Sequence, residues 1–143
     1  MPGETSLNVL LQSLKVSSQP TTYVFVSLPI DQVVHPFPIP ITDIRLWFWE
    51  SEGVTIIIPL HLAEKYGYEF SYRCKMVTLD VHSSLEAVGF LAAVATRLAE
   101  NGLSSNVVGA FYHDHLFVKE EEVEKVVSVL EELAREAKAP DRS

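Results

Sequence analysis

The spacing of apolar residues changes several times along the chain, and each change predicts an element. In "SLNVLLQSL" (6–14), Leu7, Leu10, Leu11 and Leu14 recur at helical spacing behind Ser6, which predicts a short amphipathic helix with a serine cap. "TTYVFVSL" (21–28) is β-branched and aromatic and predicts a strand. "PIDQVVHPFPIPITD" carries too many prolines for a regular element, so it reads as a connection, with His35 solvated inside it. "DIRLWFWESEGVTIII" predicts a hairpin around "ESEG", in which Gly53 is free to take positive φ. Pro59 ends its second strand, and "LHLAEKYG" predicts a short helix closed by Gly67, with His61 structural or exposed on it.

The second half opens with a predicted strand, "CKMVTLDVH" (74–82), whose Val77, Leu79 and Val81 share a face. Ser83 followed by Glu86 matches a capping box and predicts a helix starting there. That helix carries Leu85, Val88, Leu91, Ala92, Ala95, Leu98 and Ala99 on one apolar face and closes at "NG" (101–102). "SSNVVGAFY" and "HLFVK" predict a hairpin around "HD". From about Glu120 to Ala137 a last helix buries Val123, Val126, Val127, Leu130, Leu133 and Ala137. The order is βαββα. The first half repeats it weakly, with aromatic strand, polar turn, apolar strand and helix, and with the proline-rich loop in place of the leading helix.

Composition narrows the possible roles. At 143 residues and 48% hydrophobic, the chain can bury a sizeable core in one ordinary domain or two very small ones. Eleven basic residues against 19 acidic give a net charge of -8, with no cluster of Lys and Arg, which argues against nucleic acid as a partner. Much of the acidic excess lies in "EEEVEKVVSVLEELARE" and reports one solvated helix face. The single cysteine, Cys74, excludes an intrachain disulfide and a Cys-rich zinc site, and its apolar setting predicts a buried thiol. No apolar run is long enough to span a membrane, and the N-terminal stretch lacks the basic start and continuous apolar core of a secretory signal. A cytoplasmic protein is therefore expected.

Three chemistries can be asked of the polar residues. His113, Asp114 and His115, with His82 on a neighbouring strand, offer nitrogen and oxygen ligands of the kind zinc takes, but their spacing fixes no third ligand. His82, Ser83, Ser84 and Asp114 hold the atoms of a hydrolase triad, yet no G-x-S-x-G elbow presents the serine. The glycines match neither a phosphate loop nor a dinucleotide fingerprint, so no cofactor is expected. The third possibility is binding without chemistry. A helix N-terminus at "HSSLE" would present free amides and the positive end of the helix dipole to a carboxylate. The alternative there is that Ser83 and Glu86 only cap the helix and Gly89 only aids packing.

"VHSSLEAVGFLAAVATRLAENGLSSNVVGAFYHDHLFV", with "WESEGVTIIIP", "YVF" and the "GET" near the start, resembles the small tandem ACT-domain proteins. Residues 29–47 depart from that pattern. The resemblance implies an α+β fold: two ferredoxin-like ACT units (βαββα) in tandem, antiparallel sheets with helices on one face. It implies a degenerate N-terminal unit over 1–70 and a C-terminal unit over 71–143. It further implies a regulatory module rather than an enzyme, one that binds a small effector, an amino acid above all, at an ACT–ACT interface; related tandem ACT modules in eukaryotic nutrient sensing bind arginine. Carried over by position, the ligand-binding residues would be His82, Ser83, Ser84, Leu85 and Glu86, with Asn106 and Val107 on the facing strand; in an effector-binding module Asn106 and Asp114 would recognise the ligand's amino group or side chain. A homodimer is expected, and neither nucleic acid nor membrane is an expected partner. The competing class is a ligand-free dimerisation or partner-binding scaffold that uses sheet edges or the aromatic "LWFW" stretch.

Overall fold

A computed structural model describes residues 3–139. Along the chain run α1 (Leu7–Ser13), β1 (Val16–Ser18), β2 (Tyr23–Leu28), β3 (Leu46–Glu50), β4 (Gly53–Pro59), α2 (Leu60–Lys65) and β5 (Ser71–Leu79). They are followed by α3 (Phe90–Glu100), β6 (Asn106–Gly109), β7 (Asp114–Lys119) and α4 (Val123–Lys138). Two compact units result, one of Thr21–Cys74 and one of Met1–Pro20 with Lys75–Ser143.

In the Thr21–Cys74 unit, β4 pairs antiparallel with both β2 and β3, and the first residues of β5 pair with β2 (Tyr23↔Cys74, Phe25↔Ser71). Alternation sends Val24, Val26 and Leu28 of β2 and Val54, Ile56 and Ile58 of β4 into one core, under Leu62 and Ala63 of α2. The proline-rich connection forms two short 3-10 turns, Ile30–Gln32 and Ile41–Asp43, with Ile39 buried between them and Phe37 edge-on to Trp47 at 5.0 Å. It thus covers the core where a helix would otherwise lie. Gly53 has φ 147° and passes so close to the Leu28 carbonyl that a side chain would collide with it. Cys74 is buried.

The other unit aligns β1 antiparallel to the later part of β5 (Val16↔Leu79, Ser18↔Val77), and β7 lies between β5 and β6. One face of these strands, through Val77, Leu79, Leu116 and Val118, packs with α1, α3 and α4 into a second core. Ferredoxin-like units of this kind, antiparallel with helices on one face, are what the βαββα reading anticipates.

Several local expectations are corrected. Ser6 makes no side-chain cap; the Glu4 carboxylate instead accepts the N–H groups of Thr5 and Ser6, both at 2.9 Å. The second hairpin turns through residues 110–113, so Asp114 opens β7 ahead of His115 instead of lying in the turn. α4 buries Val129 and Ala134 as well as Val126, Leu130 and Leu133, whereas Val123, Val127 and Ala137 are half-buried.

Candidate functional site

The largest departure lies between β5 and α3. No helix begins at Ser83: residues 80–89 are irregular, and α3 starts at Phe90 behind Gly89, whose φ of 88° suits glycine. The capping box is absent because its groups are engaged elsewhere. Glu4 pairs beside the loop, donating its N–H to the His82 carbonyl at 2.8 Å and accepting the Ser84 N–H at 2.9 Å. The Ser83 hydroxyl donates to Asp114 Oδ2 at 3.0 Å, and Ser84 Oγ accepts the Glu86 N–H at 3.1 Å. With its start moved, α3 buries Phe90, Val94 and Leu98, while Leu85 and Val88 are 70% and 83% exposed. Of the apolar face expected at Leu85, Val88, Leu91, Ala92, Ala95, Leu98 and Ala99, Leu98 is buried and Leu91 packs half-buried against the core, while the other five are exposed.

Displacing the helix opens a cavity of about 210 Å³ between the loop, the first turn of α3, the end of β6 and Asp114. Asp114 is 8% exposed, and among the described residues Ser83 is its one side-chain partner, through Oδ2. Among the described residues Oδ1 has no hydrogen-bond donor. Gly109, opposite Asp114 across the hairpin, keeps the approach to Oδ1 clear, since a Cβ there would stand 3.3 Å from that oxygen. On the other wall, the first intrahelical bond is Ala93 N–H to Gly89 O at 2.9 Å. The N–H groups of Phe90, Leu91 and Ala92 have no intrahelical acceptor, and Gly89 has no side chain to cap them. One small cavity therefore carries a buried carboxylate and an uncapped helix N-terminus, groups that suit a cation and an anion respectively.

Of the residues singled out from the sequence, Ser83, Ser84, Leu85 and Asp114 line this cavity. His82 lies outside it, half-buried, with its ring 5.4 Å from that of Tyr112, and Glu86 is exposed. Asn106 and Val107 are exposed on β6, opposite Phe117 and Leu116 and away from the Gly109 end. The histidines do not converge: His113 and His115 have ring centroids 6.4 Å apart, and His115 Nδ1 shares a hydrogen bond with Thr78 Oγ1 at 2.9 Å. Among the described residues no group of three His, Cys, Asp or Glu is placed to hold a metal. Gly89, Phe90, Gly109 and the Gly3–Glu4 strap shape the cavity without having been read as part of it. Phe90, Val94 and Leu98, spaced four apart, were the signal for the true helix face.

Comparison with known proteins gives a family. An ACT-domain profile matches residues 2–75, and a second ACT-domain profile matches residues 69–132. A protein of unknown function from Vibrio cholerae, described as a possible transport protein, is 36% identical over 91% of this chain and 97% of its own, with a TM-score of 0.74. A protein from Agrobacterium tumefaciens shares the fold at 16% identity (85% and 89% coverage, TM-score 0.70). The ligand-free regulatory subunit of aspartate kinase from Thermus thermophilus shares it at 11% identity (85% and 98%, TM-score 0.59). No curated protein matches the chain. No helix of the described residues is long and apolar enough to cross a membrane.

Proposed function

This chain belongs to the ACT-domain family, and from that premise we propose that it is an effector-binding regulatory module, not an enzyme, whose ligand is an α-amino acid held in the cavity beside Asp114. ACT domains are typically regulatory and amino acid-binding. The observation that carries the reading is the pairing of opposite electrostatics across one small space. The ligand's ammonium group meets Asp114 Oδ1, and its carboxylate meets the amides of Phe90, Leu91 and Ala92. This replaces the amides of residues 83–86, which are not at a helix start. The Ser83 hydroxyl contributes by fixing the Asp114 carboxylate from behind.

The two ends contribute unequally. An anion at a helix N-terminus gains about 0.3–1 kcal/mol, and up to about 2 where partly buried. Removing one partner of a buried, hydrogen-bonded charge pair costs about 2–5 kcal/mol, much of it the penalty of leaving the other charge unpaired, so truncation at Asp114 is the more sensitive test. Regulation then follows from any difference in affinity between two states of the protein, and can be no larger than that difference.

A thermal-shift screen against the twenty amino acids tests this. Native-state binding at about 100 times Kd adds about 2.7 kcal/mol, a visible shift. Asp114→Asn keeps an acceptor for Ser83 and removes the charge; it should weaken the best ligand more than tenfold while the fold persists. An unshifted screen, or full affinity in Asp114→Asn, would sink the reading.

A second reading has one observation in its favour. Phe48 and Trp49 are 60% and 56% exposed on β3, which pairs on one side only, with β4. Contiguous surface aromatics mark contacts, and these would serve a homodimer or partner-binding scaffold. Sedimentation of the wild type and of Phe48→Ser/Trp49→Ser would test it: a monomer in both cases excludes the homodimer.

A further inference from the structure

Resting on the amino-acid reading of the cavity, we propose that its effector is restricted to α-amino acids with a small, uncharged aliphatic side chain. Among the described residues Asp114 is the charged side chain that lines the cavity, and its charge is committed to the ligand's ammonium group. Ser83 Oγ donates to Asp114 and Ser84 Oγ accepts the Glu86 N–H, so among the described residues the Ser84 O–H is the hydroxyl donor left at the wall. What remains is apolar: Leu85, Ala87, Phe90, Leu91, Ala92 and Ala110 supply the other side chains of the wall.

Each ligand class meets this wall differently. A guanidinium or a second ammonium group has no second carboxylate to meet, so it would lose its water without an ion-pair partner. A side-chain carboxylate is worse placed, because no lysine or arginine lines the cavity and Asp114 would repel it. An aliphatic group loses nothing on entry and covers Leu85, which stands 70% exposed as an apolar surface at this site. The space of about 210 Å³ is small beside the roughly 300–1,000 Å³ of sites for drug-sized ligands, which favours compact side chains.

Calorimetric titration of the full chain with alanine, valine, leucine and isoleucine, alongside arginine, lysine, aspartate and glutamate, decides the matter. One aliphatic ligand should bind at least tenfold tighter than every charged one. Within the aliphatic series each methylene should change affinity by roughly 10–200-fold, with an optimum set by the cavity. Leu85→Glu adds a carboxylate at an exposed wall position without touching the core, and should raise arginine and lysine binding while lowering that of the aliphatic ligand. Preferential binding of a charged amino acid, lost in Asp114→Asn, would keep the site and overturn the side-chain class. An unchanged ranking in Leu85→Glu would also overturn it. Silence from every amino acid would overturn the amino-acid reading itself and this inference with it.

Discussion

Gly3→Ala is the sharpest test of the loop that shapes the cavity. A Cβ built on Gly3 would stand 2.6 Å from Ser83 C, 2.6 Å from Ser84 N and 2.7 Å from His82 O. All three are backbone atoms, so no rotamer change can relieve the contact, and the strap has to withdraw. Withdrawal breaks two hydrogen bonds, Glu4 N–H to the His82 carbonyl and Ser84 N–H to the Glu4 carbonyl. At about 0.5–1.5 kcal/mol net for each, the expected loss is about 1–3 kcal/mol. With a urea m-value of about 2 kcal/mol/M, the unfolding midpoint followed by far-UV circular dichroism should fall by roughly 0.5–1.5 M. The variant should also bind ligand less well even where folded, because the loop carrying Ser83 loses its anchor. An unchanged midpoint together with unchanged affinity would refute the claim that the Gly3–Glu4 strap holds the loop.

Two further expectations can be measured with the same instruments. Phe90→Ala should destabilise by about 3–5 kcal/mol, since Phe90 is 2% exposed in the core, while Leu85→Ala and Val88→Ala should stay within about 0.5 kcal/mol; the reverse ranking would restore a helix beginning at Ser83. Between α3 and α4, the Arg97 guanidinium hydrogen-bonds the Glu136 carboxylate and holds its pKa below the ordinary value of about 4.5. A depressed carboxyl pKa stabilises the fold fully above that ordinary value, and the contribution disappears as pH falls through the lowered one. Glu136→Gln should therefore lower the stability slightly at neutral pH and low salt, with the deficit closing in acid; a deficit that persists at low pH would mean that the pair acts through packing rather than charge.

What could be read from the sequence, and what could not, divides along the range of the forces involved. β2, β4, α2 and the irregular, proline-rich connection were legible, because each is set by alternation or by turn residues close at hand. The hairpin at Gly53 was legible for the same reason. The start of α3 was not. Ser83 and Glu86 make a sound local cap, but the Glu4 carbonyl, distant in sequence, takes the Ser84 N–H, and Asp114 takes the Ser83 hydroxyl. A distant hydrogen bond outweighed a near one, and periodicity within one window cannot register that. The helix face was misdrawn because alanines occur on both sides of α3, leaving Phe90, Val94 and Leu98 as the discriminating set.

That misreading and the cavity are one fact. A helix starting at Ser83 would run through the space that the loop encloses and would use the Ser83 hydroxyl on its own amides. Asp114 would then be a buried carboxylate with no donor, a costly arrangement. Starting the helix at Phe90 releases Ser83 to hold Asp114 and exposes the α3 amides at the cavity wall. Forgoing an early helix start removes a turn or more of helical hydrogen bonding, and the local signal at Ser83 and Glu86 makes that turn favourable in isolation. The glycines at 3, 89 and 109 each make the alternative sterically possible, by close approach, by positive φ and by an open path to Asp114 Oδ1. Two of these permissive positions line the cavity and the third backs its loop, and all three run against the local preference of the chain.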